Sequence, residues 1–269
     1  MRLPRVQGIL RRRLLVNFRV EPAVVQRHLP EGLRPRLHAG HAIAGVCLIR
    51  LEQLRPPGVP SFLGISSENA AHRVAVAWRD ASGALREGVF IHRRDTDSLL
   101  GRLAGGRVFP GEHFPARFTV ADSDGRIELS MQSLDGAVRV HVAGRDADRL
   151  PPTSCFGTLA QASAFFEAGT LGYSATSDAG RLDGLILRTH EWRARAFEVA
   201  AVDSSYFSNP DLFPEGSVAF DHALVMRDLA HEWLRAEDLS LAPGADPGAE
   251  AIPVPVMPPA VGVRASQQA

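Results

Sequence analysis

Glu112 and His113 stand side by side in the run Pro110-Gly111-Glu112-His113-Phe114-Pro115, so a carboxyl and an imidazole share a loop stiffened by two prolines. Such a pair can exchange protons near neutral pH, and functional groups concentrate on loops held by a rigid scaffold; a solvated loop tip is the plainer reading. Glu68, next to Asn69, lies where the loop Arg55-Pro56-Pro57-Gly58-Val59-Pro60 gives way to a strand of small and apolar residues. Enclosed in an apolar pocket, its carboxyl is raised toward neutrality and can act as general acid or base; at an open strand entry it is only solvated. Arg19 sits within a strand between Phe18 and Val20. An inward arginine must be paired, either clamping a substrate carboxylate in two-pronged fashion or meeting a structural acid, unless it faces solvent. Ser205 and Tyr206, in Asp203-Ser204-Ser205-Tyr206-Phe207-Ser208-Asn209-Pro210, can orient a small ligand, or their cluster can stabilise a turn; Asp221 and His222 come next in line.

Several chemistries are excluded. All 30 basic residues are arginine, a usage that GC-rich coding explains, and without lysine no side-chain amine exists for a Schiff base or a phosphate loop. There is no Gly-x-Ser-x-Gly, no His-Glu-x-x-His, no Gly-x-Gly-x-x-Gly and no Cys-x-x-Cys, and the His38/His41 pair falls on an expected turn. No metal and no cofactor are expected. The 30 basic and 30 acidic residues balance, which leaves no field to attract nucleic acid or an anionic membrane. Cys47 and Cys155 lie far apart among apolar or small neighbours and read as free thiols of a reducing compartment. Arg11-Arg12-Arg13 precedes only three apolar residues before Asn17, too short for a signal-peptide core, and no run approaches a membrane span. A soluble cytoplasmic protein is expected.

The elements that carry these residues are mostly strands. Residues 11–20, 34–37, 42–51, 73–78, 84–92, 116–121, 126–134, 137–142, 184–189, 197–202 and 217–226 alternate or run apolar. Asp124-Gly125 and Asp135-Gly136 supply tight turns. Helices are expected from Glu21-Pro22, over 154–168 before Gly169, and over 227–236, where Leu229, Ala230, Trp233 and Leu234 share a face. A further short helix is expected after Asp95 or Thr96 as N-cap, ending at Gly105-Gly106. Residues 242–269, rich in Ala and Pro, read as a disordered tail after a single domain over 1–241. Many strands and few helices indicate an α+β, mainly antiparallel barrel or sandwich with peripheral helices.

Asn17-Phe18-Arg19-Val20-Glu21-Pro22, His28-Leu29-Pro30-Glu31-Gly32-Leu33, Glu68-Asn69, Gly172-Tyr173-Ser174 and Phe220-Asp221-His222-Ala223-Leu224-Val225-Met226-Arg227 together resemble the YqjF-like family, domain of unknown function 2071. That family lies in the acetoacetate decarboxylase-like superfamily, and the resemblance covers roughly residues 8 to 238. It implies a closed, cone-like β-barrel with an internal small-molecule pocket, and decarboxylases of this superfamily use an arginine, a glutamate and a lysine pair. Arg19 matches the arginine and Glu68 the glutamate, whereas Gly111-Glu112-His113 stands where the lysines should fall. Acetoacetate decarboxylation through an imine is therefore not expected. What the resemblance leaves is a lyase, isomerase or hydratase acting on an organic acid or carbonyl compound, with Arg19, Ser205 and Tyr206 binding and Glu68, Glu112 or His113 moving protons. A non-catalytic ligand-binding barrel and an oligomerising structural protein are the alternatives, and a homo-oligomer is compatible with any of them.

Overall fold

The computed structural model describes residues 5–80, 82–98, 111–175 and 181–240. In chain order these form β1 (Arg5–Val20), α1 (Pro22–Gln26), β2 (Arg34–Pro35), β3 (Leu37–His38), β4 (His41–Arg55), β5 (Ile65–Arg79), β6 (Leu85–Thr96), β7 (His113–Ser123), β8 (Arg126–Ser133), β9 (Arg139–Ala147), α2 (Leu159–Ala168), β10 (Leu171–Ala175), β11 (Arg181–Thr189), β12 (Arg195–Ser204), β13 (Val218–Arg235) and β14 (Leu239–Ser240). The strands β6-β7-β8-β9-β12-β13-β1-β4-β5 follow one another in hydrogen-bonded order, and the β5–β6 pairing closes them into a nine-stranded barrel. The ladders are antiparallel except where β6 meets β7 and β10.

A second closed circuit shares one wall with the first. β10 pairs with β6 at Val89–Ile91, β11 pairs with β10, and β11 returns to β13 at Leu234 and its neighbours. β6-β10-β11-β13-β1-β4-β5 is thus also a ring, and β10–β11 straps across the outside of the wall made by β1, β4 and β5. Both faces of that wall are consequently covered, and its strands are nearly continuously buried rather than alternating. Leu14, Val16, Val74, Leu129, Val142 and Phe197 fill the barrel. Leu15, Cys47, Ala71, Phe156, Phe165 and Phe166 form the layer between the wall and α2. Gly45 permits the tight packing of β4 on β1, since a Cβ there would lie 2.3 Å from the Val16 carbonyl oxygen.

α2 begins at Leu159, not Ser154, because Thr158 is the cap that accepts from the Gln161 amide at 3.2 Å. Residues 154–158 instead form a turn that reaches Asp221. The helix is fastened by Arg36, whose Nη1 donates to the Phe165 carbonyl at 2.8 Å, and by Trp192 Nε1 donating to Ser163 Oγ at 2.9 Å.

Two further expectations are corrected. Residues 227–235 are strand, the second half of β13, because their backbone groups are used by β1 on one edge and β11 on the other. Leu229 and His231 point to the buried side with period two, an alternation as consistent with those residues as a helical face. Asp95 and Thr96, expected as N-cap, belong to β6, which runs through them and pairs with Phe114 and Pro115 of β7. The helix expected after them and the tail at 242–269 lie outside the described residues. No helix among the described residues is long and apolar enough to cross a membrane.

Candidate functional site

Arg11-Arg12-Arg13 is the local key to the charge layout. Asp228 adopts a left-handed backbone (φ 53°) opposite Arg11, and the β1–β4 register shifts between Leu10 and Arg12. This bulge reverses the inward–outward phase, so that Leu10 packs outside with Met226 and Leu229 while Leu14 packs inside the barrel. The three arginines then diverge. Arg11 meets Glu52 and Asp228 at the surface. Arg12 turns inward, 2 % exposed, and its Nη2 donates to Glu68 at 2.5 Å, with Asp122 at 3.4 Å from Nη1. Arg13 turns outward beneath the strap, 9 % exposed, with its guanidinium over the Trp192 ring at 5.5 Å.

Arg13 is one of three arginines on the covered outer face that have no carboxylate partner among the described residues; the others are Arg73 and Arg94. Arg13 Nε and Nη1 and Arg73 Nε are buried with no hydrogen-bond partner among those residues. Cross-strand register gathers the three. Leu15, Cys47, Ala71, Arg94 and His113 lie in one row across β1, β4, β5, β6 and β7. Asn17, Gly45 and Arg73 form the adjoining row, and Arg13 and Ile49 the row on the other side. Small side chains at Cys47, Ala71 and Gly45 therefore sit among large cationic ones. Burial pulls Arg73 and Arg94 down to about 10.

Each cation is held in place. Arg94 Nε donates to Ser174 Oγ of β10 at 3.2 Å. Arg73 stacks on Phe166 of α2 at 4.9 Å, and its Nη2 donates to Asn17 Oδ1 at 2.8 Å. That bond fixes the Asn17 amide, whose Nδ2 donates to the Leu15 carbonyl and to His222 Nε2, both at 3.2 Å. His222 Nε2 is thereby the acceptor, which puts the ring proton on Nδ1, 2.6 Å from Asp221 Oδ2. Asp221 is also bonded by Ser154 Oγ (2.7 Å), the Cys155 amide (2.8 Å) and Arg19 Nη1 (3.3 Å). Burial pushes the Asp221 carboxyl up, but the bonds from His222, Cys155 and Ser154 outweigh it and hold it below the usual range.

The residues singled out from sequence are distributed over three places. Arg19 is at the outer end of this relay, donating also to the Thr153 carbonyl at 3.0 Å. Glu68 is inside the barrel, its carboxyl raised by burial against the pull of Arg12 and Arg50. The expected meeting of Arg19 and Glu68 in one cavity does not occur, because they lie on opposite faces of the shared wall and at opposite ends of it. Tyr206 is also inside the barrel, 4.8 Å from the His72 ring, with burial raising its hydroxyl to about 12. Ser205 clips β9 to β12, its Oγ accepting from the Arg139 amide at 2.9 Å. Glu112 is exposed. His113 alone joins the arginine row, and burial, then the Arg94 charge, hold its imidazole down at about 4.

Arg13, Arg73 and Arg94 were not found from sequence. The signal was present at Arg73, a lone charge in Ala70-Ala71-His72-Arg73-Val74-Ala75-Val76, within a strand too apolar to have a solvent side. Among the described residues no group of three or more His, Cys, Asp or Glu is arranged to hold a metal ion.

The closed mixed barrel is similar to several solved structures. Acetoacetate decarboxylase from Legionella pneumophila aligns over 87 % of each chain at 11 % identity and a TM-score of 0.52. An acetoacetate decarboxylase-like enzyme from Sphingomonas wittichii RW1 aligns over 87 % of this chain and 92 % of its own at 15 % identity and 0.52. The enduracididine biosynthesis enzyme MppR, complexed with pyruvate, aligns over 90 % and 91 % at 12 % identity and 0.55. The fold is thus acetoacetate decarboxylase-like. The model of DUF2071, a family described as uncharacterized conserved protein, matches residues 9–223, and the chain belongs to that family. No curated protein matches the sequence.

Proposed function

We propose that the space around Arg13, Arg73 and Arg94, between the shared wall and the β10–α2 cover, is a chamber that binds a small organic carboxylate, and that His113 moves a proton on it. The observation that carries this reading is the trio Arg13, Arg73 and Arg94 on the covered face, the first two buried and Arg94 partly so, without a carboxylate partner among the described residues. An uncompensated guanidinium in such a place costs several kcal/mol, and an anionic ligand returns that cost on binding. Two guanidiniums approaching from different strands suit the two oxygens of a carboxylate. The pyruvate carried by MppR belongs to the same ligand class, which supports a 2-oxo acid as the first compound to try.

His113 is neutral at pH 7 because its conjugate acid is held at about 4, so it is available as a base. Removing a proton from the carbon next to a carbonyl is the step shared by lyases and isomerases of organic acids, and positive charge from the arginines stabilises the enolate that forms. Without lysine, the step runs with no imine.

Solvent exchange tests it: pyruvate and 2-oxobutyrate in D2O, followed by NMR with and without protein, together with thermal shift. Wild type should be stabilised by the ligand, by about 2.7 kcal/mol at a hundredfold excess over Kd, and should speed exchange at the carbon next to the carbonyl. His113→Gln should keep the shift and lose the exchange. A shift with no exchange in wild type would leave the non-catalytic binding barrel as the function. No shift with any carboxylate would refute the chamber.

A further inference from the structure

We infer that Cys47 is the nucleophile of this chamber, and that the carboxylates it accepts include those with an electrophilic carbon near the acid group. The inference rests on the carboxylate-binding reading above and goes further in naming a reacting atom.

Cys47 lies mid-strand in β4, 3 % exposed, with its side chain on the outer face beside Ala71 and Leu15. It shares a cross-strand row with Ala71 and Arg94, and Arg73 stands in the adjoining row. Neither has a carboxylate partner among the described residues, and the orphaned Nε of Arg73 and the Nε and Nη1 of Arg13 are buried nearby. Those unpartnered donors are the independent sign that something anionic belongs next to the thiol. A carboxylate seated on Arg73 and Arg94 brings its own substituent carbon against the sulfur, which is the proximity a nucleophile needs. Cys155, by contrast, sits beside Asp221, and burial followed by that carboxylate pushes its thiol up to about 12.

Two additions balance without any co-reactant. With a 2-oxo acid the sulfur bonds to the carbonyl carbon, the C=O π pair moves to oxygen, and the thiol proton ends on that oxygen as a hemithioketal. With a 2-enoic acid the sulfur bonds to the β carbon, the C=C pair moves to the α carbon, and the proton ends there. Thiolate is the attacking form in both.

Iodoacetate and iodoacetamide separate the idea from its rivals, since they deliver the same alkylating carbon with and without the carboxylate. The S–C bond forms, iodide leaves, and the thiol proton passes to solvent. Labelling of Cys47 and Cys155 is followed by peptide mass spectrometry, on wild type and on Arg94→Gln, beside thermal shift with acetate as an unreactive carboxylate. The iodoacetate-to-iodoacetamide rate ratio at Cys47 should exceed that of the urea-unfolded protein by about tenfold, the low end of what a cleft of one charge sign does for a counter-ion. Acetate should slow the reaction, and Arg94→Gln should bring the ratio back toward the unfolded value. An acetate shift with no preference for iodoacetate at Cys47 would overturn the nucleophile and leave the binding chamber standing. Absence of both would overturn both.

Discussion

Arg12 and Arg13 are adjacent in sequence, similarly buried and differently paired, so the same substitution at each should change stability in opposite directions. Methionine keeps most of the stem volume and removes the charge. At Arg13 the change removes two buried, unpartnered N–H groups, each costing about 1–3 kcal/mol, and forfeits a cation–π contact with Trp192 worth about 0.5–2 kcal/mol. The balance favours Arg13→Met by about 0–5 kcal/mol, a span that includes the ~1–4 kcal/mol seen when buried charges give way to apolar side chains. At Arg12 the change strips Glu68 of its 2.5 Å partner while leaving the carboxyl buried, and should cost about 3–5 kcal/mol. Asp122 keeps Arg227 at 2.7 Å and adds little to that loss. Urea unfolding followed by near-UV circular dichroism reads both, with an unchanged m-value certifying that the midpoint shift is a stability change. Arg13→Met should also weaken the carboxylate-induced thermal shift, the trade of stability against function expected of a strained site. A destabilised Arg13→Met with its carboxylate response intact would refute the view that this arginine is held for an anion.

Acid should destabilise the fold earlier than a carboxylate-dominated protein. Burial depresses His72 to about 3 and His92, His113 and His231 to about 4. The unfolded chain takes up protons that the native one refuses, so this stability is whole above the ordinary histidine value of about 6.5 and is lost as pH falls toward 4. Four such groups give a slope approaching roughly 5 kcal/mol per pH unit in that window, opposed slightly by Glu68 and Asp95, whose carboxyls burial raises. Urea midpoints between pH 7.5 and 4.5 measure it, and a flat profile would contradict the buried neutral imidazoles. His222→Leu severs the relay between Asp221 and Asn17 and should cost about 2–4 kcal/mol. It should also weaken carboxylate binding several-fold by loosening Arg73; isothermal titration at a temperature where the variant stays folded checks this, and unchanged affinity would make the relay purely structural.

Most strands could be read from alternation and turn pairs, and the helix ending at Gly169 from its apolar face. The misreading at 227–236 has a physical cause. Leu229, Ala230, Trp233 and Leu234 satisfy a helical stripe, and only the long-range partners β1 and β11 decide for strand. The site was harder to read for a related reason. Which of Arg11, Arg12 and Arg13 faces which side depends on a bulge in the β1–β4 pairing, opposite the left-handed Asp228 that β13 brings in from more than two hundred residues away. The local strand around Arg19 gives no sign of its partner, because Asp221 arrives from β13. His113 was legible because its loop announced itself; the cations that share its face come from β1, β5 and β6.

The two faces of the wall also decide where an acid can act. Inside the barrel, Arg12 meets Glu68 and Asp122, and Arg227 meets Asp122 and Asp146, so each cation there has its counter-charge. On the outer face the three cations have none among the described residues. On the proposed reading the paired interior charges maintain the fold and the unpaired outer ones serve a ligand; Glu68→Gln tests that division directly. It leaves Arg12 leaning on Asp122 alone and should lower stability by about 3–5 kcal/mol, since one member of a buried pair is neutralised. Because the wall separates Glu68 from the chamber, the affinity for pyruvate and the His113-dependent proton exchange should both survive at temperatures where the variant is folded. If exchange is lost while binding is retained, the working carboxyl is the interior one, substrate reaches the barrel, and the chamber is reduced to a site that binds without reacting.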